Sequence, residues 1–373
     1  MTDQIKTINR RTFISKVGVV TVMALGSVTS IAKPVSAVYW AGTAKHLDVY
    51  WLIIFDDLGQ IVRKIELPSR GHGIQQSAQG HLIVCGRRPG TWMLLLQSCH
   101  AAPQWIKGLK KRSLSGHCCF SGDGHLFYTA ENDFELGQGV IGVWDRRTGK
   151  RLWEWSSQGI GPHEILLSHD GSHLWVANGG ILTHPDQTRE KLNLDTMLPN
   201  VSYLCLADGE LKQQYSVDES MLSLRHLAVN QKNQVAVACQ YQGPDYQRKN
   251  LLLLISEGQI NELPCDPKVT TKLKNYLGSV TFDASGEWIS ATSPKGHQVV
   301  IWRLSQNLQP VHYHTLHITD ACGVSATSQA GGFVISTGMG QVMHYLAPVK
   351  KLTSYPSAAD SLCWDNHLTV LQS

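Results

Sequence analysis

Gly116-His117-Cys118-Cys119-Phe120-Ser121-Gly122-Asp123-Gly124-His125-Leu126-Phe127-Tyr128-Thr129-Ala130 is the stretch whose reading decides the fold. Its apolar positions form two short strand-like runs, and Asp123-Gly124 between them supplies the positive φ that a tight hairpin demands. The same pattern returns down the chain. His72 opens HGIQQSAQGHLIVC, His163 opens HEILLSHDGSHLWVAN, His226 opens HLAVNQKNQVAVAC, Ser279 opens SVTFDASGEWISAT and Cys322 opens CGVSATSQAGGFVIST. From His72 onward the openings stand 45, 46, 63, 53 and 43 residues apart. A strand-built repeat of roughly 40–50 residues marks a propeller rather than a sandwich or a parallel sheet. One further step reaches Leu362-Cys363-Trp364-Asp365-Asn366-His367-Leu368, a seventh opening with too little chain behind it to finish a four-stranded blade. Residues 48–67 hold an unassigned hairpin near the other end. The expected fold is therefore all-β, a seven-bladed β-propeller whose termini share one blade, a closure that leaves no free sheet edge.

Residues 1–37 read as a targeting segment outside that fold. Asn9-Arg10-Arg11-Thr12-Phe13-Ile14 carries the paired arginines of a twin-arginine export signal, residues 17–32 are mildly apolar, and Val35-Ser36-Ala37 offers a small-residue cleavage site. The apolar run is shorter than the roughly 20 residues a spanning helix needs. The expectation is a periplasmic protein, exported folded, with residues 38–373 as one propeller domain and no membrane insertion after cleavage. Lys6, Arg10, Arg11, Lys16 and Lys33 against Asp3 account for the whole net charge of +4, so the propeller itself is neutral. That balance argues against nucleic acid, which calls for a basic stripe. A monomer is expected. The nine cysteines include no C-x-x-C pair, and none is assigned to a disulfide.

In a propeller the innermost strand of each blade starts at one mouth of the central channel, so residues opening successive repeats form a ring. His72, His117, His163 and His226 hold that position in four consecutive blades, and His367 lies beside it in the closing one. Convergent neutral imidazoles suit copper, iron or zinc, or the iron of a haem. Glu131, Glu164 and Asp365 are the carboxylates expected to fix the tautomers of those histidines. A second reading is architectural: Gly116-His117 with Trp144-Asp145 imitates the structural hydrogen-bond network of WD repeats, and such histidines only satisfy buried polar groups. A third makes the mouth an anion site built from Arg70, Arg87, Arg88 and Arg225. The third blade carries an irregular excursion over residues 178–197, expected to act as a lid through His184, Arg189, Asn193 and Asp195. An enzyme of lactonase or dehydrogenase type, or a pure interaction scaffold, stays open as well. No nucleophile elbow or phosphate loop is present in the sequence.

Arg70-Gly71-His72-Gly73, Arg87-Arg88-Pro89-Gly90, Gly161-Pro162-His163-Glu164, Ala177-Asn178-Gly179-Gly180-Ile181, residues 191–197, Arg225-His226-Leu227-Ala228 and Trp364-Asp365-Asn366-His367 together resemble an exported bacterial family catalogued as domain of unknown function 1513. The resemblance implies a propeller in the periplasm and, because its members tend to be encoded beside imelysin-type proteins, an iron-uptake or haem protein as partner. It implies no activity. One motif departs from the family pattern: Arg-His-Phe-Tyr-Gly-His stands here as Arg112-Ser113-Leu114-Ser115-Gly116-His117, which keeps the inner histidine and loses the outer one.

Overall fold

The computed structural model describes residues 38–187, 190–305, 310–355 and 362–371, the side chains of 310–313 excepted. The proposed export segment, residues 1–37, lies outside them. Seven four-stranded antiparallel sheets follow one another along the chain, the blades of a propeller. Their innermost strands are Gly71–Gln76, Arg112–Phe120, Pro162–Leu167, Leu222–Val229, Ser279–Phe282, Ala321–Ala326 and Cys363–Leu371. Each touches the next around the ring, and the last touches the first.

The hairpins form as the sequence dictates. Gly124 takes φ +67 in the turn between Arg112–Phe120 and Leu126–Asp133. Asp123 fixes that turn by accepting from Ser121 Oγ at 2.6 Å and from the His125 N–H at 3.0 Å. Gly171 and Gly286 repeat the positive φ in the corresponding hairpins one and three blades later in the chain. Between neighbouring blades lie apolar clusters such as Ile83, Met93, Ile106, Phe120 and Phe127, all buried, where the first and second blades meet. Trp92, Trp144 and Trp302 join such clusters, while Trp153 is 47% exposed and does not.

The closing blade is built more fully from the N-terminal side than residues 48–67 suggest. Tyr39–His46, a strand the alternation did not reveal, pairs antiparallel with Cys363–Leu371 on one side and Val49–Asp56 on the other. The blade is thus one C-terminal strand and three N-terminal ones. Trp364 anchors it, 5% exposed, with its ring edge on Phe55 at 5.5 Å and against Leu368, Trp40 and Val334. Replacing it, Trp364→Ala, should remove about 3–5 kcal/mol of stability, read as a lower urea midpoint. An unchanged midpoint would show that closure does not rest on this ring.

Candidate functional site

The five histidines meet on the axis. His72 stands 4.5 to 6.3 Å, centroid to centroid, from the other four rings. His117 is 4.6 to 5.6 Å from His163, His226 and His367. A shared backbone device aims them. The register of the innermost strand slips between Gly71 and Ile74, Leu114 and Cys118, Pro162 and Ile165, and Leu224 and His226. A fifth slip separates Trp364 from Leu368 in the closing strand. Each histidine lies in or beside one of these bulges, and a bulge re-aims a side chain that a regular strand would turn sideways. A sixth slip, between Ala321 and Val324, lies in a strand without histidine, and Ser279–Phe282 has neither slip nor histidine. Two glycines permit the crowding: a Cβ on Gly73 would sit 2.9 Å from His117 Nδ1, and one on Gly116, at φ +106, would sit 2.8 Å from the His72 ring.

Two buried carboxylates orient the rings. Asp365 accepts from His72 Nδ1 at 2.8 Å and from the Asn366 N–H at 2.7 Å, and its other oxygen is held by Arg70. Glu164 accepts from His226 Nδ1 at 3.3 Å and from the Leu227 N–H at 2.9 Å, and its second oxygen lies 3.5 Å from His117 Nδ1. Donation through Nδ1 leaves Nε2 as the unprotonated nitrogen of His72 and His226. Nε2 of His117 and Nε2 of His367 are buried without a hydrogen-bond partner. Ligand nitrogens of His72, His117 and His163 lie within 4.8 Å of one another, as do those of His117, His226 and His367. His163 differs from the rest, since its Nδ1 accepts from Arg225 at 3.4 Å and its proton therefore sits on Nε2.

Charge is unevenly settled in this cluster. Burial pushes His72 down to about 3 and holds His163, His226 and His367 below their ordinary value, so these rings are neutral at pH 7. Burial opposes ionisation of Asp365 and Glu164 too, but His72 and Arg70 outweigh it at Asp365, and His117 and His226 at Glu164. Both carboxyls are held below the usual range. Asp365 has the guanidinium of Arg70 as its counter-charge. Glu164 has only imidazoles and a backbone N–H, which leaves one buried negative charge without a fixed cation.

The ring divides the channel. On one side a cavity of about 620 Å³ is lined by His72, His163, His226, Arg87, Arg88 and Arg225. On the other a smaller one, about 270 Å³, is lined by His117, Glu164 and His367 among others. Other expected residues fall elsewhere. Glu131 does not reach the ring: it lies one strand outward and accepts from Arg151 Nη1 at 2.6 Å, because alternation turns its side chain between strands. Trp144 donates to Thr129 at 2.9 Å and Asp145 caps its own turn, so the imitation of a WD-repeat network excludes His117, which turns to Glu164 instead. Of the lid residues, Asn193 ties the excursion down by bonding Leu182 N–H at 2.7 Å and Gly180 C=O at 2.9 Å. His184 packs on Phe134 at 5.2 Å, Asp195 is exposed in the short turn Leu194–Thr196, and Arg189 lies outside the described residues. The excursion reaches the cavity through Thr183, Glu190 and Lys191 instead. Ser115, Tyr276 and Asn366 also line it, and no local motif announced them.

The family model described as a protein of unknown function, DUF1513, matches residues 65–371. The chain belongs to that family. No curated protein matches. Among solved structures, this DUF1513 chain is similar to a functionally unknown protein from Desulfotomaculum acetoxidans, with a TM-score of 0.61 at 10% identity over 89% of this chain and 99% of that one. It is also similar to Kuenenia stuttgartiensis hydrazine synthase, with a TM-score of 0.57 at 15% identity over 84% of this chain and 93% of that one. Likeness at such identity shows the fold alone.

The buried imidazoles of the DUF1513 chain set a pH dependence with a definite sign. A ring held neutral in the folded state gains a proton on unfolding below its ordinary value of 6.5, so its contribution is present above that value and lost as pH falls toward about 3. The protein stripped of metal should lose stability on acidification across that window, and His367→Gln should make the slope shallower. A flat urea-midpoint profile between those limits would mean that the rings are solvated.

Proposed function

We propose that this DUF1513 protein binds a divalent first-row transition metal within its histidine ring. The observation that carries the reading is the pair of orphaned Nε2 atoms, on His117 and His367, within two overlapping triads of histidine nitrogens in which carboxylates orient His72 and His226. A purely architectural ring would consume its own donors and acceptors. This one leaves ring nitrogens of His117 and His367 unpartnered and a negative charge on Glu164 without a fixed cation. A cation answers both. An all-imidazole donor set without thiolate favours copper, zinc or iron, with copper first by intrinsic affinity.

Haem answers less well. A porphyrin buries broad apolar faces, whereas the larger cavity is walled mostly by arginine, lysine, histidine and small polar side chains. The twin-arginine pattern of residues 9–14, read as an export signal, and the gene neighbours that the family resemblance implies are the grounds for proposing a place in periplasmic iron or metal handling, with an iron-uptake or haem protein as partner. No catalytic step is assigned.

The test is elemental analysis of the protein purified from the periplasm without chelator, followed by titration of the stripped protein with Cu(II), Zn(II) and Fe(II). About one metal per chain is expected. His117→Ala with His367→Ala should abolish uptake, and Glu164→Gln should weaken it about 10–100-fold by freeing two ligands to rotate. A folded protein that holds no metal and takes none up would overturn the reading.

A further inference from the structure

We infer that the larger cavity binds a small organic polyanion, a molecule carrying two or three carboxylate or phosphate groups. The inference stands on the cationic wall and not on the metal. Arg87, Arg88, Lys191 and Arg225 all line this space, against a single carboxylate, Glu190. Among the described residues no carboxylate lies within ion-pair distance of any of the four. Arg70, Arg112 and Arg151, by contrast, each pair with a carboxylate.

The unpaired charge deepens toward the ring. Arg87 and Lys191 are exposed at the rim, Arg88 is half-buried, and Arg225 is 5% exposed with its Nε lacking any partner. A buried guanidinium with a free donor and no counter-ion is costly unless something supplies one. Guanidinium forks are shaped for the paired oxygens of carboxylate or phosphate.

Neutral lining groups point to the same ligand chemistry. Ser115 Oγ accepts from Asn132 at 3.1 Å and Tyr276 Oη accepts from Asn366 at 3.2 Å, so both hydroxyls keep a proton to donate. His163 lines the same space, its Nδ1 held by Arg225. The cavity thus meets its occupant as a set of donors. Its volume, about 620 Å³, lies within the range of organic ligand sites and exceeds what a single inorganic anion fills.

The test is calorimetric titration at low ionic strength of the exported protein, stripped of metal and freed of chelator, with citrate, 2,3-bisphosphoglycerate, inorganic phosphate and acetate. Citrate or the bisphosphate should bind at least tenfold more tightly than acetate or phosphate, and whichever is tighter identifies the anionic group. Arg87→Gln with Lys191→Gln, both at the exposed rim, should weaken that binding about tenfold while leaving the unfolding midpoint in place. Arg225→Gln should weaken it further if the variant folds. Equal affinity for citrate and acetate, or polyanion binding indifferent to the rim variant, would overturn the inference. Metal uptake by the same protein is read separately, so either result leaves the histidine ring to be judged by its own experiment.

Discussion

Pairing between Cys363–Leu371 and Tyr39–His46 is the constraint on which the rest of the structure depends. It joins the two ends of the described chain in one sheet and turns a row of seven blades into a ring. Without it the first and last blades would present open edges and the channel would have no axis. The same strand completes the site. Asp365 reaches across to Arg70 and His72, Asn366 to Tyr276, and His367 stands among His72, His117 and His226. Closure and site assembly are one event, so a polar centre that would be costly in an open form is assembled only when its last members arrive.

The bulges explain how a regular scaffold produces an irregular centre. An antiparallel inner strand alternates its side chains between blade faces, and neither face is the channel axis. One or two extra residues per strand break the alternation and free a side chain to point inward. The device appears in every inner strand that carries a ring histidine and also in Ala321–Ala326, which has none, and is absent at Ser279–Phe282. Glycines at 73 and 116 then remove the Cβ atoms that would hold the rings apart.

Two charge environments result, separated by the thickness of a few imidazoles. The ring holds neutral lone pairs and one uncompensated carboxylate, an arrangement complementary to a cation. The cavity above holds uncompensated guanidiniums and hydroxyl donors, an arrangement complementary to an anion. His163 stands between them, in contact with His72, His117 and His226 and with its Nδ1 given to Arg225, which lines the cavity. Because buried charge is tolerated only when it is answered, the two environments define what each would hold more sharply than their shapes do.

The sequence by itself determined the blade count, the hairpins and the ring of histidines, because each is written in local pattern: period-2 alternation, Asp-Gly turns, and an interval repeated along the chain. It also marked Asp365, Glu164 and the arginines of the mouth, through their places beside the openings. Tyr39–His46 escaped it because the turn into Val49–Asp56 is made by Leu47 at φ +55, with no glycine to mark it. Tertiary structure alone decided which carboxylate serves which ring. Glu164 lies 62 residues from His226, and Asp365 lies 293 from His72. Glu131, close to His117 in sequence, faces Arg151 instead. Partners of this kind are chosen by closure of the ring and by the bulges that rotate each side chain, and neither leaves a mark at short range in the chain.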